Sequence, residues 1–133
     1  MHPAYFETRF RTPDPVATWP DAFVIVSAYA TTGASWSEDE NRRADERLEG
    51  ALGSSWRRRV TGYSLSTGHA EPGWAAVLPF DDACDLGARF RQDAIYLVQA
   101  DDLFVTHCDE RRALVRVGSF RQRLDGAADP GTS

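Results

Sequence analysis

Residues 23–52 read FVIVSAYATTGASWSEDENRRADERLEGAL, and this stretch decides the fold. It opens with Phe23-Val24-Ile25-Val26, apolar without interruption and mostly β-branched. A run this short with no polar alternate suits a strand covered on both faces, so it predicts the central strand of a sheet. Further on, Ser37-Glu38-Asp39-Glu40 has the form of a capping box, in which the Ser37 hydroxyl accepts a backbone N–H and Glu40 reaches back. A helix is expected to start there. Its inward stripe reads Ala44, Leu48, Ala51 and Leu52, with Glu38/Arg42 and Asp39/Arg43 as supporting pairs outside and Gly53 as the stop.

Working outward, residues 5–11 alternate in the manner of an edge strand that Pro13 and Pro15 end. Residues 57–63 predict a strand, 62–73 a long turn region, and 74–78 another strand. A second helix is expected over about 81–92, with Ala83, Leu86, Gly87 and Phe90 inward and an Asp at its cap. Strands at 94–99, 103–108 and 113–119 follow, joined as two hairpins, the first through Asp101-Asp102. The order predicts an α+β fold, a mixed or mainly antiparallel sheet with two helices on one face, similar to a split β-α-β unit with additions. A Rossmann-like α/β arrangement is the alternative, weakened by the missing Gly-x-Gly-x-x-Gly. Residues 1–125 are expected to form one domain and 126–133 a disordered tail.

The composition, 42% hydrophobic and 26% charged, is that of an ordinary globular chain. No apolar run approaches a membrane span and the N-terminus lacks a secretory layout, so a cytoplasmic location is expected. Net charge is -5, which argues against nucleic-acid and anionic-membrane partners. All 15 basic residues are Arg, a bias expected of a GC-rich genome, so an Arg cluster such as Arg57-Arg58-Arg59 reads as a solvated face. Cys84 and Cys108 are expected to be two thiols rather than a disulfide.

The chain has no P-loop, Cys-x-x-Cys, His-Glu-x-x-His or nucleophile elbow. His107 and Cys108 are neighbours on a predicted strand, point to opposite faces and cannot share a metal. No metal and no cofactor are expected. His69 lies close to Glu71 in a polar loop, where such a pair can do acid-base chemistry, although a solvated loop His explains the same residues. The 27–37 loop, with Ser27, Tyr29, Thr31, Thr32, Gly33 and Ser35, leaves a strand end for a helix N-terminus, a common ligand position. Its acids at 38–40 disfavour phosphate there. Asn41, the only Asn, sits on the helix's inward stripe, where a buried amide needs partners in loop backbone or in a ligand.

These residues also carry a family resemblance. The chain resembles the bacterial domain-of-unknown-function family DUF3293 from about residue 4 to residue 98. The shared features are Ala4-Tyr5-Phe6-Glu7-Thr8-Arg9-Phe10, Ser27-Ala28 ending an apolar strand, Glu40-Asn41 opening a helix, Glu71-Pro72 before a strand, and Phe90-Arg91-Gln92-Asp93-Ala94-Ile95. It departs where relatives have aromatic-Asn-Pro, since Tyr29 is followed by Ala30 and Thr31. The resemblance implies no nameable activity. It does single out Ser27, Asn41, Glu71 and Gln92 as polar positions.

The residues favour a binding or interaction module that takes a small polar or nucleotide-like ligand, or a protein partner, through the 27–41 unit. Ser27, Tyr29, Asn41, Glu71, Trp74 and Gln92 are the candidate contacts, with Tyr29, Trp36 and Trp74 as exposed aromatics. One alternative is a small hydrolase or transferase with Glu71 as general base and Ser27, Asn41 and Gln92 positioning substrate. Another is an acidic inhibitor of a basic partner, which requires one contiguous carboxylate patch.

Overall fold

A central strand apolar on both faces needs a covering layer on each side. In the computed structural model, which describes residues 3–29, 37–108 and 112–125, seven strands meet that need in one sheet. They are β1 (Arg9–Arg11), β2 (Ala22–Ser27), β3 (Arg57–Tyr63), β4 (Ala70–Ala76), β5 (Ala94–Gln99), β6 (Asp102–His107) and β7 (Leu114–Ser119). Helix α1 (Glu38–Leu52) follows β2, α2 (Phe80–Arg89) follows β4, and the short α3 (Phe120–Arg123) follows β7. Across the sheet the order is β1-β3-β4-β2-β5-β6-β7, with every neighbouring pair antiparallel. The fold is therefore α+β, and the parallel pairing of the Rossmann-like alternative does not occur between named strands.

The order has a consequence for the two helical crossovers. β2 and β3 run the same way with β4 between them, and β4 and β5 run the same way with β2 between them. Two split β-α-β units thus interleave, and both crossover helices lie on one face. There, Val24 and Val26 of β2 and Ile95 and Leu97 of β5 meet Ala44 and Leu48 of α1 and Ala83 and Cys84 of α2.

The opposite face is closed by the sheet itself. Its two edges approach one another: Arg123 donates to Thr8 O at 3.0 Å and to Val117 O at 2.5 Å, and Phe10 bridges Leu124. Asp125 completes the seam, its N–H donating to Phe10 O at 2.8 Å and its carboxylate accepting from Arg9 and from the Tyr63 hydroxyl. Phe10, Phe23, Val60, Val98, Leu103, Val105, Val117 and Phe120 fill this inner face.

Several elements differ from their sequence reading. Residues 5–11 are not one strand: Pro3–Phe6 is a 3-10 turn that stacks Tyr5 edge-on against Tyr96, with ring centroids 6.1 Å apart, and only Arg9–Arg11 joins the sheet. The strand expected at 74–78 starts at Ala70, because Glu71 pairs with Gly62 and Ala70 with Tyr63, which leaves only 64–69 as turn. Helix α2 starts after Pro79 with no side-chain cap and ends at Arg89. On α1 the Ser37 capping box is present, but Asp45 rather than Ala51 occupies the buried face. The β5–β6 turn uses Ala100 and Asp101, both at positive φ, instead of Asp101-Asp102. Ser119 Oγ and Arg121 N–H hold the Asp101 carboxylate at 2.5 and 2.8 Å. The proposed tail at 126–133, the loop positions Thr31, Thr32, Gly33, Ser35 and Trp36, and part of the 109–112 connection lie outside the described residues.

Candidate functional site

Strand alternation sorts the polar residues chosen from sequence. Ser27 and Glu71 share the inner-face parity of Ile25 and Ala75, whereas Trp74 packs with the outer cluster beside α1. Asn41 is half-buried on α1, one turn before Ala44, and so belongs to the outer side. The sheet therefore stands between Glu71 and Asn41.

Ser27 and Gln92 brace the backbone. Ser27 Oγ donates to Pro72 O at 2.9 Å and accepts from Tyr29 N at 3.1 Å. Gln92 is buried, and its amide donates to Tyr29 O at 2.9 Å and Phe90 O at 3.3 Å, tying the end of β2 to the end of α2. Glu71 is paired with His69, Nε2 to Oε1 at 3.3 Å. Burial raises its carboxyl above the usual range, with His69 acting in the opposite direction and Asp93 adding to the rise. Trp74 is half-buried rather than exposed: the Arg59 guanidinium lies 4.0 Å from its ring centroid, and its Nε1 is buried without a hydrogen-bond partner. Arg59 forms a fork with Asp45, at 2.8 and 2.5 Å, which pins α1 to β3.

His107 Nδ1 lies 3.3 Å from Asp93 O, and Cys108 packs against Gly87 of α2, so the two neighbours do diverge. No disulfide joins Cys84, which is buried, to Cys108, which is half-buried. Among the described residues, no three His, Cys, Asp or Glu side chains stand close enough to hold a metal ion.

Three concavities adjoin the described fold, one of them, about 580 Å³, lying between the 15–20 segment and Trp56 with Arg58. A second, about 600 Å³, is floored by Trp19, Phe23 and Phe120 of the inner core and rimmed by residues of the 12–21 segment. The third, about 430 Å³, lies on the outer face between the helices. Glu40, Ala44 and Arg47 line it from α1 at i, i+4 and i+7, which is a single helical stripe. Arg89, Phe90 and Arg91 line it from the end of α2. Ala44 and Phe90 are buried and supply the apolar floor. Gln92, next in sequence to the lining residue Arg91, is linked to Tyr29 O by its amide.

The three cleft arginines differ from six others in this chain, although Arg11, Arg43, Arg58, Arg121 and Arg123 likewise have no ion pair among the described residues. Arg9, Arg42, Arg57, Arg59, Arg112 and Arg116 are each paired with a carboxylate. Among the described residues, Arg47, Arg89 and Arg91 have no ion-pair partner; Arg89 lies over the Phe90 ring, 5.5 Å from its centroid. Sequence reading passed over them, because in a Lys-free chain each Arg looks like a solvated charge. The available signal was Arg91, standing where a helix end usually has Gly.

Fold and cleft together define a small α+β protein built on interleaved split β-α-β units, with a basic concavity on its helical face. A family model described as "Protein of unknown function (DUF3293)" matches residues 26–95, more than half of the chain, and the chain belongs to that family. The matched segment runs from the end of β2 to the start of β5, so it contains both helices and every residue lining the 430 Å³ cleft. The opening pattern at 4–10 lies outside it. No curated protein and no solved structure matches. No helix among the described residues is long and apolar enough to cross a membrane.

Proposed function

We propose that this protein is a binding module that takes a small polar ligand in the cleft between α1 and α2, beside the 27–41 unit. The carrying observation is that Arg47, Arg89 and Arg91, none of which has an ion-pair partner among the described residues, line one concavity from α1 and the end of α2. Each guanidinium presents five N–H donors in a fixed fork, so the cleft offers directional hydrogen bonding over an apolar floor. Of the residues singled out from sequence, Gln92, Tyr29 and Asn41 belong to this reading as the frame of the cleft, not its lining. Trp74 belongs to the packing of the outer face, and Ser27 braces the backbone at Pro72 and Tyr29.

The placement of Glu71 supports binding over hydrolysis. Its carboxyl has His69 as partner, but Asn41, a substrate-positioning group in the hydrolase reading, is on the other side of the sheet. An acidic-inhibitor reading draws less support still, because Asp39, Asp45, Glu49, Asp81, Asp85 and Asp102 are each interleaved with an Arg.

The test is an amide-resonance titration with pools of small polar compounds: nucleotides, sugars, amino acids and carboxylic acids. At least one pool is expected to shift resonances confined to residues 40–47 and 89–92, and Arg47→Glu is expected to abolish that response. Shifts elsewhere, or none from any pool, would overturn the proposal.

A further inference from the structure

The chain reverses at the end of α2 in a way that normally belongs to glycine. Gln92 N–H donates to Gly87 O at 2.9 Å and Arg91 N–H donates to Ala88 O at 3.0 Å. These are the paired bonds of a Schellman ending, whose first residue beyond the cap adopts left-handed backbone. That residue is Arg91, at φ 59°. An L side chain there is strained, and Gly is the usual occupant because it has no Cβ to clash. The strain is retained at the lip of the cleft, where Arg91 joins Arg89 and, from the facing helix, Arg47.

We infer that this cleft is a site for a phosphoryl anion, and that Arg91 occupies a glycine position because its guanidinium is a ligand contact. The inference rests on the cleft reading above and names its ligand class. A carboxylate is planar and one bidentate Arg matches its geometry, as Arg59 does for Asp45. Three guanidiniums brought from two elements suit a tetrahedral group with oxygens pointing in several directions and more than one negative charge. The one carboxylate in the lining, Glu40, accepts from Ser37 in the capping box, with Oε1 3.4 Å from Ser37 N and 3.3 Å from Ser37 Oγ, bonds that leave its charge in place. Of the acids at 38–40 that disfavour an anion at the α1 N-terminus, only Glu40 lines the cleft, and the three arginines outnumber it.

A stability–binding comparison separates this use of Arg91 from an accident of sequence. Arg91→Gly is expected to raise Tm by about 2 °C as the left-handed strain is relieved. It is also expected to weaken binding of inorganic pyrophosphate and of adenosine monophosphate by about tenfold or more. Arg91→Lys, which keeps the charge, is expected to bind with intermediate affinity, and Arg47→Ala to lose affinity as Arg91→Gly does. Adenosine should not shift the cleft resonances, and citrate should bind at least about tenfold more weakly than pyrophosphate. Binding by Arg91→Gly at the wild-type level, a fall in its Tm, or equal binding of citrate would each overturn the inference. If other polar compounds shift residues 40–47 and 89–92 while pyrophosphate and adenosine monophosphate do not, the phosphoryl assignment fails and the cleft reading stands. If nothing shifts them, both fall.

Discussion

The two faces of this sheet solve the same problem, covering an apolar surface, with opposite materials. The inner face is closed by aromatic rings from distant parts of the chain. Phe10, Trp19, Phe23, Trp56, Tyr96 and Phe120 contact one another with centroids 4.9–6.2 Å apart, mostly edge-on or tilted. The outer face is closed by two helices through small residues, Ala44, Ala83, Cys84 and Gly87, which bring the helix axes close to the strands. Bulky interlocking rings leave little freedom, and their burial dominates the stability of a core. Small residues under separate helices leave room between the helices, and there the cleft lies. The stable face and the candidate binding face are thus distinct, although they share the same central strands.

The sharpest way to break that comparison is to cut into the aromatic side. Phe10 is fully buried against Tyr96 and Phe120 and also joins the two sheet edges, so Phe10→Ala is expected to cost about 3–5 kcal/mol in urea unfolding. A loss below about 1 kcal/mol would mean that the inner face is not the main core. The helical side should respond less. A Cβ on Gly87 would stand 2.8 Å from both Cys108 Sγ and Ile95 Cγ2. The Ala helix propensity, about 1 kcal/mol over Gly, partly offsets overpacking of about 1–3 kcal/mol, so Gly87→Ala is expected to destabilise by about 1 kcal/mol. Placing it in a Cys108→Ala background should restore part of the loss, and no restoration would count against this contact.

The smallest effect is set by pH at the inner-face rim. Burial raises the Glu71 carboxyl, and a carboxyl raised in the folded state adds stability while protonated that is lost as pH rises through its folded value. Glu71→Gln should therefore match the wild type at about pH 3.5 and exceed its Tm by no more than about 2 °C at about pH 7.5. A Tm lower than wild type at the higher pH would show that the His69 contact outweighs burial.

Much of the framework was legible because it is written locally. The apolar run of β2, the Ser37 capping box and the hairpin signals around β5, β6 and β7 each fix a few neighbouring residues. The failures involve long-range partners. Asp45 looked like an ordinary helix-surface acid, and only the approach of β3 brings Arg59 to it. Trp74 was read as an exposed aromatic, whereas that same guanidinium covers its ring. The candidate site was legible only at its frame, through Asn41 and Gln92. Its lining could not be found because Arg47 is far in sequence from Arg89 and Arg91 and shares no pattern with them until two helices are laid on one sheet.

By itself the sequence determined which segments are strand or helix and which residues are apolar, because backbone propensity, capping and alternation act over a few residues. Only the tertiary structure decided the rest. Strand order interleaves the two β-α-β units, curling joins Arg123 to both sheet edges, and a Schellman ending sets Arg91 opposite Arg47. These outcomes depend on which distant surfaces bury one another, and no local preference encodes that choice.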